Sequence, residues 1–111
     1  MNTLKKNFEF KRVLSRGKCI NGKFLAIYVF PNKLNTLRVG FAIGKKAGKA
    51  HDRNRIRRLI RENFRLVENE LQKGLDIVFV WKNLVPADKV EFKRIKEDIN
   101  ILVKFYESKQ R

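Results

Sequence analysis

Apolar positions along this chain change their spacing several times, and each change marks an element. Phe10, Val13 and Leu14 recur at helical spacing and predict a short helix from Phe8 toward Arg16. Asn7 offers its N-cap, Glu9 lies in its first turn and Gly17 follows its end. From Cys19 onward the spacing is that of strands. Phe24 to Phe30 is aromatic and β-branched and stops at Pro31-Asn32. Asn32 to Thr36 then reads as a turn, with Leu37 to Ile43 as the partner strand. Within that strand Arg38, Gly40 and Ala42 alternate with Val39, Phe41 and Ile43, so one face is lined by small or basic groups. Gly44 to Gly48 is a basic loop. Helical spacing returns in Ile56, Leu59, Ile60, Phe64 and Val67 and continues to about Leu71, with Gly74 as a stop. Asp76 to Trp81 is a short buried strand. Pro86 introduces a last helix whose inner stripe is Phe92, Ile95, Ile99, Leu102 and Tyr106.

The predicted order is α-β-β-β-α-β-α, an α+β chain: an α/β sandwich of a small mixed sheet with three helices. With 111 residues there is room for one domain, spanning 1–111, and the sequence has no repeat or linker. So small a sheet leaves one face partly open beside the first helix. Aromatic and basic groups line that opening, as in a platform for single-stranded nucleic acid.

Charge narrows the partners. Lys and Arg number 27 against 11 Asp and Glu, a net +16 that favours a polyanion. A membrane is excluded as partner, because no apolar run nears the roughly 20 residues of a spanning helix and no signal-peptide pattern opens the chain. Cys19 and His51 are single, which rules out an internal disulfide and a four-ligand zinc site. Beside Ile20, Cys19 reads as a small core residue, and the whole fits a reducing, cytoplasmic location. The acidic residues are dispersed among the basic ones, so the chain lacks the clustered carboxylates of a self-sufficient metal nuclease.

The charge is also arranged. Lys45 to Arg65 holds nine basic residues and two acidic ones. At about 100° per residue, Asn54, Arg57, Arg58, Arg61 and Arg65 share one helix face, opposite Ile56, Leu59, Ile60, Phe64 and Val67. A merely solvated face would alternate its signs. Arg outnumbers Lys here, which suits planar, two-pronged contact with phosphate. Reading of a DNA major groove is disfavoured, since strands rather than a helix-turn-helix partner precede this helix.

These residues also resemble a family. Arg53-Asn54-Arg55 with Ile56 to Glu62 is similar to the R-N-R signature of the protein subunit of bacterial ribonuclease P. Leu4 to Val13 with Gly17 resembles that family's opening, and Leu37 to Lys46 its R-x-G strand and K-K loop. Gly48-Lys49-Ala50 resembles the G-N-A before the arginines, and Asp76 to Val80 a later strand. The resemblance implies an α/β sandwich with a left-handed β-α-β crossover, against the usual hand. It further implies that an RNA subunit catalyses Mg²⁺-dependent removal of the 5′ leader from precursor tRNA. The Mg²⁺ is then held mainly by RNA, and the protein, monomeric on its own, aids metal binding by the complex and supplies no catalytic groups; no metal ligand is assigned in this chain. A ribosomal-type RNA-binding protein is the alternative of the same size and charge.

By the same resemblance, Arg53, Asn54, Arg55, Arg57, Arg58 and Arg61 face the catalytic RNA, with Asn54 either capping backbone or orienting the arginines. The leader lies between the first helix and the sheet, against Phe10, Leu14 and Tyr28, with Lys45, Lys46, Lys49, Arg53 and Lys82 beside its phosphates. Phe10 has core packing as its other reading. Leu14 stands where the family often has an aromatic, Lys49 where it has Asn, Lys82 where Arg is frequent, and Trp81, expected in the core, where it tends to be small.

Overall fold

The strand Leu75–Trp81 sets the architecture, because every residue from Leu75 to Phe79 is buried. A strand apolar toward both faces belongs at the middle of a covered sheet. The computed structural model, which describes residues 1–108, puts it there. In chain order the elements are β1 (Asn2–Thr3), α1 (Asn7–Arg16), β2 (Lys18–Asn21), β3 (Leu25–Pro31), β4 (Leu37–Ala42), α2 (Ala50–Val67), β5 (Leu75–Trp81) and α3 (Phe92–Tyr106). They form three helices and one five-stranded mixed sheet of order β1-β4-β5-β3-β2.

The second helix ends at Val67 rather than near Leu71, and the last begins at Phe92, six residues past Pro86. Three further details depart from the sequence pattern. Leu37–Ala42 is not the hairpin partner of β3. Instead β5 lies between them, antiparallel to β3 and parallel to β4. At an edge, β5 would leave apolar surface unpaired; inserted, it is covered on both sides. The intervening turn still forms, with Asn32 Oδ1 accepting the Leu34 N–H at 2.7 Å. Second, β1 is an extra strand that pairs parallel with β4; two polar residues carry no alternation to read. Third, Asn7 is the first residue of α1 rather than its cap. Glu9 Oε1 instead reaches back to the backbone N–H groups of Lys5 and Lys6, at 3.1 and 3.0 Å. Asp52 does the same for the Lys49 N–H at the start of α2, at 3.0 Å. A carboxylate at this position satisfies orphan donors and meets the positive end of the helix dipole.

The main core lies on one face of the sheet. Ile56, Ile60 and Phe64 of α2 and Ile95, Ile99 and Leu102 of α3 meet Ile27, Val39, Ile77 and Phe79. Each such buried side chain stabilises by about 1.5–3 kcal/mol. α3 also clamps the β2–β3 turn. Its buried Asp98 accepts the N–H groups of Lys23, Phe24 and Leu25 at 2.8, 2.7 and 2.9 Å. Gly22 permits this approach, since a Cβ there would lie 2.5 Å from Asp98 Cγ.

On the other face stands α1 alone. Val13 packs with Leu4 and Val78, while Phe10, Tyr28, Phe30, Ala42 and Val80 are only partly covered. Among the described residues, no helix is long and apolar enough to cross a membrane.

Candidate nucleic-acid interface

Charge as well as packing holds α1 over the sheet. Arg38 of β4 makes two 2.8 Å bonds to the buried Asp76 of β5 and one of 2.9 Å to Glu9 of α1. Asn32 donates to the same Asp76 at 2.9 Å, and Arg12 of α1 comes within 3.7 Å of it. The Lys6 and Lys5 N–H groups, then Arg38, hold the Glu9 carboxyl below its ordinary 4.5. Its share in anchoring α1 is therefore present above that value and lost as pH falls through the lower folded one. Asp76 in turn keeps Arg38 more firmly protonated.

Strand register then builds a floor beside α1. Gly40, Val78, Tyr28 and Cys19 form one row across β4, β5, β3 and β2. Ala42, Val80, Ala26 and Asn21 form the next. Residues paired this way point to one face. Phe10 rests on the first row: a Cβ on Gly40 would lie 2.5 Å from its Cε1, so the ring sits on bare backbone. Phe10 and Tyr28 thus share a half-buried cluster, and Leu14, one turn further along α1, is 38% exposed. The second row is small and open. The alternation of Gly40 and Ala42 announces its β4 end; its continuation through Val80, Ala26 and Asn21 depends on strand register and is not read from the sequence.

Cys19 corrects an expectation. Predicted as a core residue, it is exposed. Strand alternation turns Ile20 into the core and Cys19 toward Tyr28. The neighbouring Cys19 thiol raises the Tyr28 pKa above its ordinary 10.

The arginines of α2 divide into three groups. Arg53, Arg57 and Arg61, four residues apart, run along the flank facing β4. Arg53 donates to Gly48 O at 2.8 Å, Arg57 to Asn54 Oδ1 at 2.8 Å, and Arg61 lies 5.8 Å from the centre of the Phe41 ring. Asn54 therefore orients an arginine. Arg58 and Arg65 project into solvent. Arg55 turns the other way, and its guanidinium donates to the carbonyls of Ala87 and Val90, the latter at 2.9 Å. That fork is taken up in joining α2 to the segment before α3. Replacing Arg55 by Ala is expected to cost about 1.5–3 kcal/mol, roughly 5–15 °C of melting temperature. RNA affinity, measured at a temperature where the variant is folded, should keep its salt dependence.

Lys45 and Lys46 are exposed in a single 3₁₀ turn after β4, and Lys49 is exposed where α2 begins. Together they continue the arginine flank around the end of the sheet. Lys82 is half-buried, and its ammonium donates to Asn21 Oδ1 and Gly22 O at the β2–β3 turn. Trp81 is core, stacked on Phe24 at 6.2 Å. Among the described residues no group of three or more His, Cys, Asp or Glu is placed to hold a metal. The buried carboxylates Asp76 and Asp98 already accept from Arg38 and from three backbone N–H groups, so neither fits as a Mg²⁺ ligand.

The same fold occurs in known proteins. The Ribonuclease P family model matches residues 1–107. A ribonuclease P protein component from Caldanaerobacter subterraneus subsp. tengcongensis is 41% identical over 100% of this chain and 97% of its own length. The solved RNase P protein from Thermotoga maritima superposes with a TM-score of 0.82 at 28% identity, covering 97% of this chain and 100% of that one. That from Staphylococcus aureus gives 0.81 at 28% identity, over 95% and 94%.

Proposed function

The chain belongs to the ribonuclease P protein family, and from that premise we propose that it is the accessory subunit of a cytoplasmic tRNA-processing ribonucleoprotein, monomeric before assembly. Its α2 flank, through Arg53, Asn54, Arg57, Arg58 and Arg61, docks on the catalytic RNA. The floor between α1 and the sheet takes the 5′ leader of precursor tRNA. Tyr28 and the exposed edge of Phe10 offer base-stacking faces, each worth about 1–3 kcal/mol. Leu14 adds a flat apolar contact where the family often stacks an aromatic. Lys45, Lys46 and Lys49 meet phosphates at the rim, and Lys82 does so with the donor left over from its two internal bonds. Hydrolysis belongs to the RNA, whose phosphates hold the Mg²⁺.

One observation carries this reading: two surfaces of different chemistry lie on opposite faces of a single sheet. One is a row of guanidinium groups suited to a folded polyanion. The other is a shallow aromatic floor suited to unpaired bases.

The test is cleavage of labelled precursor tRNA at low Mg²⁺ by the chain alone, by a bacterial ribonuclease P RNA alone, and by both. Cleavage at the mature 5′ end only in the combined reaction is the expected result. Tight RNA binding without stimulation would favour a ribosomal-type role, and cleavage by the chain alone would place a catalytic centre in the protein.

A further inference from the structure

A cavity of about 540 Å³ lies beside the floor just described. It runs between β2, the edge strand of the sheet, and the last turns of α3, with Ile101 and Phe105 as its apolar wall. Phe105 is 70% exposed, the most exposed large apolar side chain among the described residues. A second cavity of about 240 Å³ shares Lys18 and Tyr106 with the first and adds Arg16. Among the described residues no carboxylate lines either one, and Lys104, the neighbour of Phe105 in the chain, is exposed.

This groove is continuous with the floor. Both rows of the floor end on β2, the first at Cys19 and the second at Asn21, and these two residues line the groove. A strand segment passing over Tyr28 and off the sheet edge therefore arrives beside Phe105. We propose that the groove holds the upstream part of a long 5′ leader, which leaves Tyr28, crosses Cys19 and Asn21, and stacks a base on Phe105 beside Lys18. This extends the proposed function and rests on it.

The lining chooses among occupants. A second copy of the chain would bring another +16 to a groove whose charged lining residues, among those described, are all basic. Single-stranded RNA supplies phosphates for the cations and a base face for an exposed ring. Among the described residues no strand pairs with the outer edge of β2, so backbone N–H groups along that edge can also meet phosphate oxygens.

The test uses the reconstituted holoenzyme with Ca²⁺ in place of Mg²⁺ to slow cleavage, and precursors with leaders of about two and about ten nucleotides, the longer within the span of known single-strand sites. Phe105→Ala, at an exposed position, should lose roughly 5–100-fold in affinity for the long-leader precursor and almost none for the short one. In a Cys19→Ser background carrying Ile101→Cys, the long leader should slow alkylation of the introduced thiol by N-ethylmaleimide, and the short leader should not. Equal alkylation with both precursors, or equal losses from Phe105→Ala, would overturn the proposal. So would protection by an acidic peptide but not by RNA, which would give the groove to a protein strand. Tyr28→Ala calibrates the experiment. If it selectively weakens the long-leader precursor while Phe105→Ala does not, only the groove is misassigned. If it too has no selective effect, the leader does not use the floor, and the proposed function itself fails.

Discussion

Replacing Arg57 and Arg61 together by Glu is expected to lower affinity for ribonuclease P RNA by about 10²–10³-fold near physiological salt. The slope of log affinity against log salt should flatten by about 1.5–2, as two phosphate contacts are lost. The two side chains lie one turn apart, Arg57 steered by Asn54 and Arg61 supported by the Phe41 ring. Being pre-placed, they give up little side-chain freedom on binding. A general electrostatic field would make position irrelevant. The discriminating control is the same double reversal at Lys93 and Lys96, exposed on α3. If both pairs cost the same affinity in filter-binding titrations, the α2 flank is not a docking surface. Unchanged circular dichroism of both variants would exclude unfolding as the cause.

The largest effect on stability is expected at Asp98. Asp98→Ala strands the three N–H groups of Lys23, Phe24 and Leu25, the last two of them buried. An unsatisfied buried donor costs about 1–3 kcal/mol, so the loss should be roughly 3–5 kcal/mol, with a fall in melting temperature of about 15–30 °C. Asp98→Asn keeps one acceptor oxygen and should fall between. Hydrogen exchange locates the damage, with the amides of residues 23–25 losing protection first. A melting temperature lowered by less than about 3 °C would mean that the turn finds other acceptors and that the clamp is dispensable. There is a functional corollary. The Lys82 ammonium rests on Asn21 and Gly22 of this turn, so loosening the turn frees a charge at the rim of the floor.

Much of this was legible before the structure because it depends on local period. Ile56, Ile60 and Phe64 announce α2 and its buried side, and Ile95, Ile99 and Leu102 do the same for α3. What was hidden depends on residues far apart in sequence. Arg55 sits in the R-N-R signature, yet its partners are carbonyls more than 30 residues later. The helical wheel leaves it off the arginine face, which agrees with these contacts, while its place in the signature gives no hint of them. The place of β5 between β3 and β4 follows from its apolarity on both faces, but a turn followed by a strand reads equally well as a hairpin. Cys19 was misplaced because its apolar neighbour Ile20 suggested burial, whereas in a strand the neighbour of a buried residue points the other way. Glu9 and Asp76 were unremarkable as single acids. Only folding brings them to the two sides of Arg38.

The sheet with one chemistry on each face also has a kinetic meaning on the proposed reading. With the α2 flank seated on the catalytic RNA, and the precursor held by that RNA, the leader meets the floor as a tethered group. Its effective concentration is then of millimolar order, so a floor of only millimolar intrinsic affinity is substantially occupied. Two rings and a few lysines suffice, and deeper enclosure would be a disadvantage. Cleavage cuts the covalent link between leader and tRNA body and removes the tether in the same event. The severed leader then faces the floor at its free concentration alone and leaves. A shallow, rigidly mounted surface thus makes occupancy conditional on the bond still being intact, and the enzyme clears its own product without any moving part.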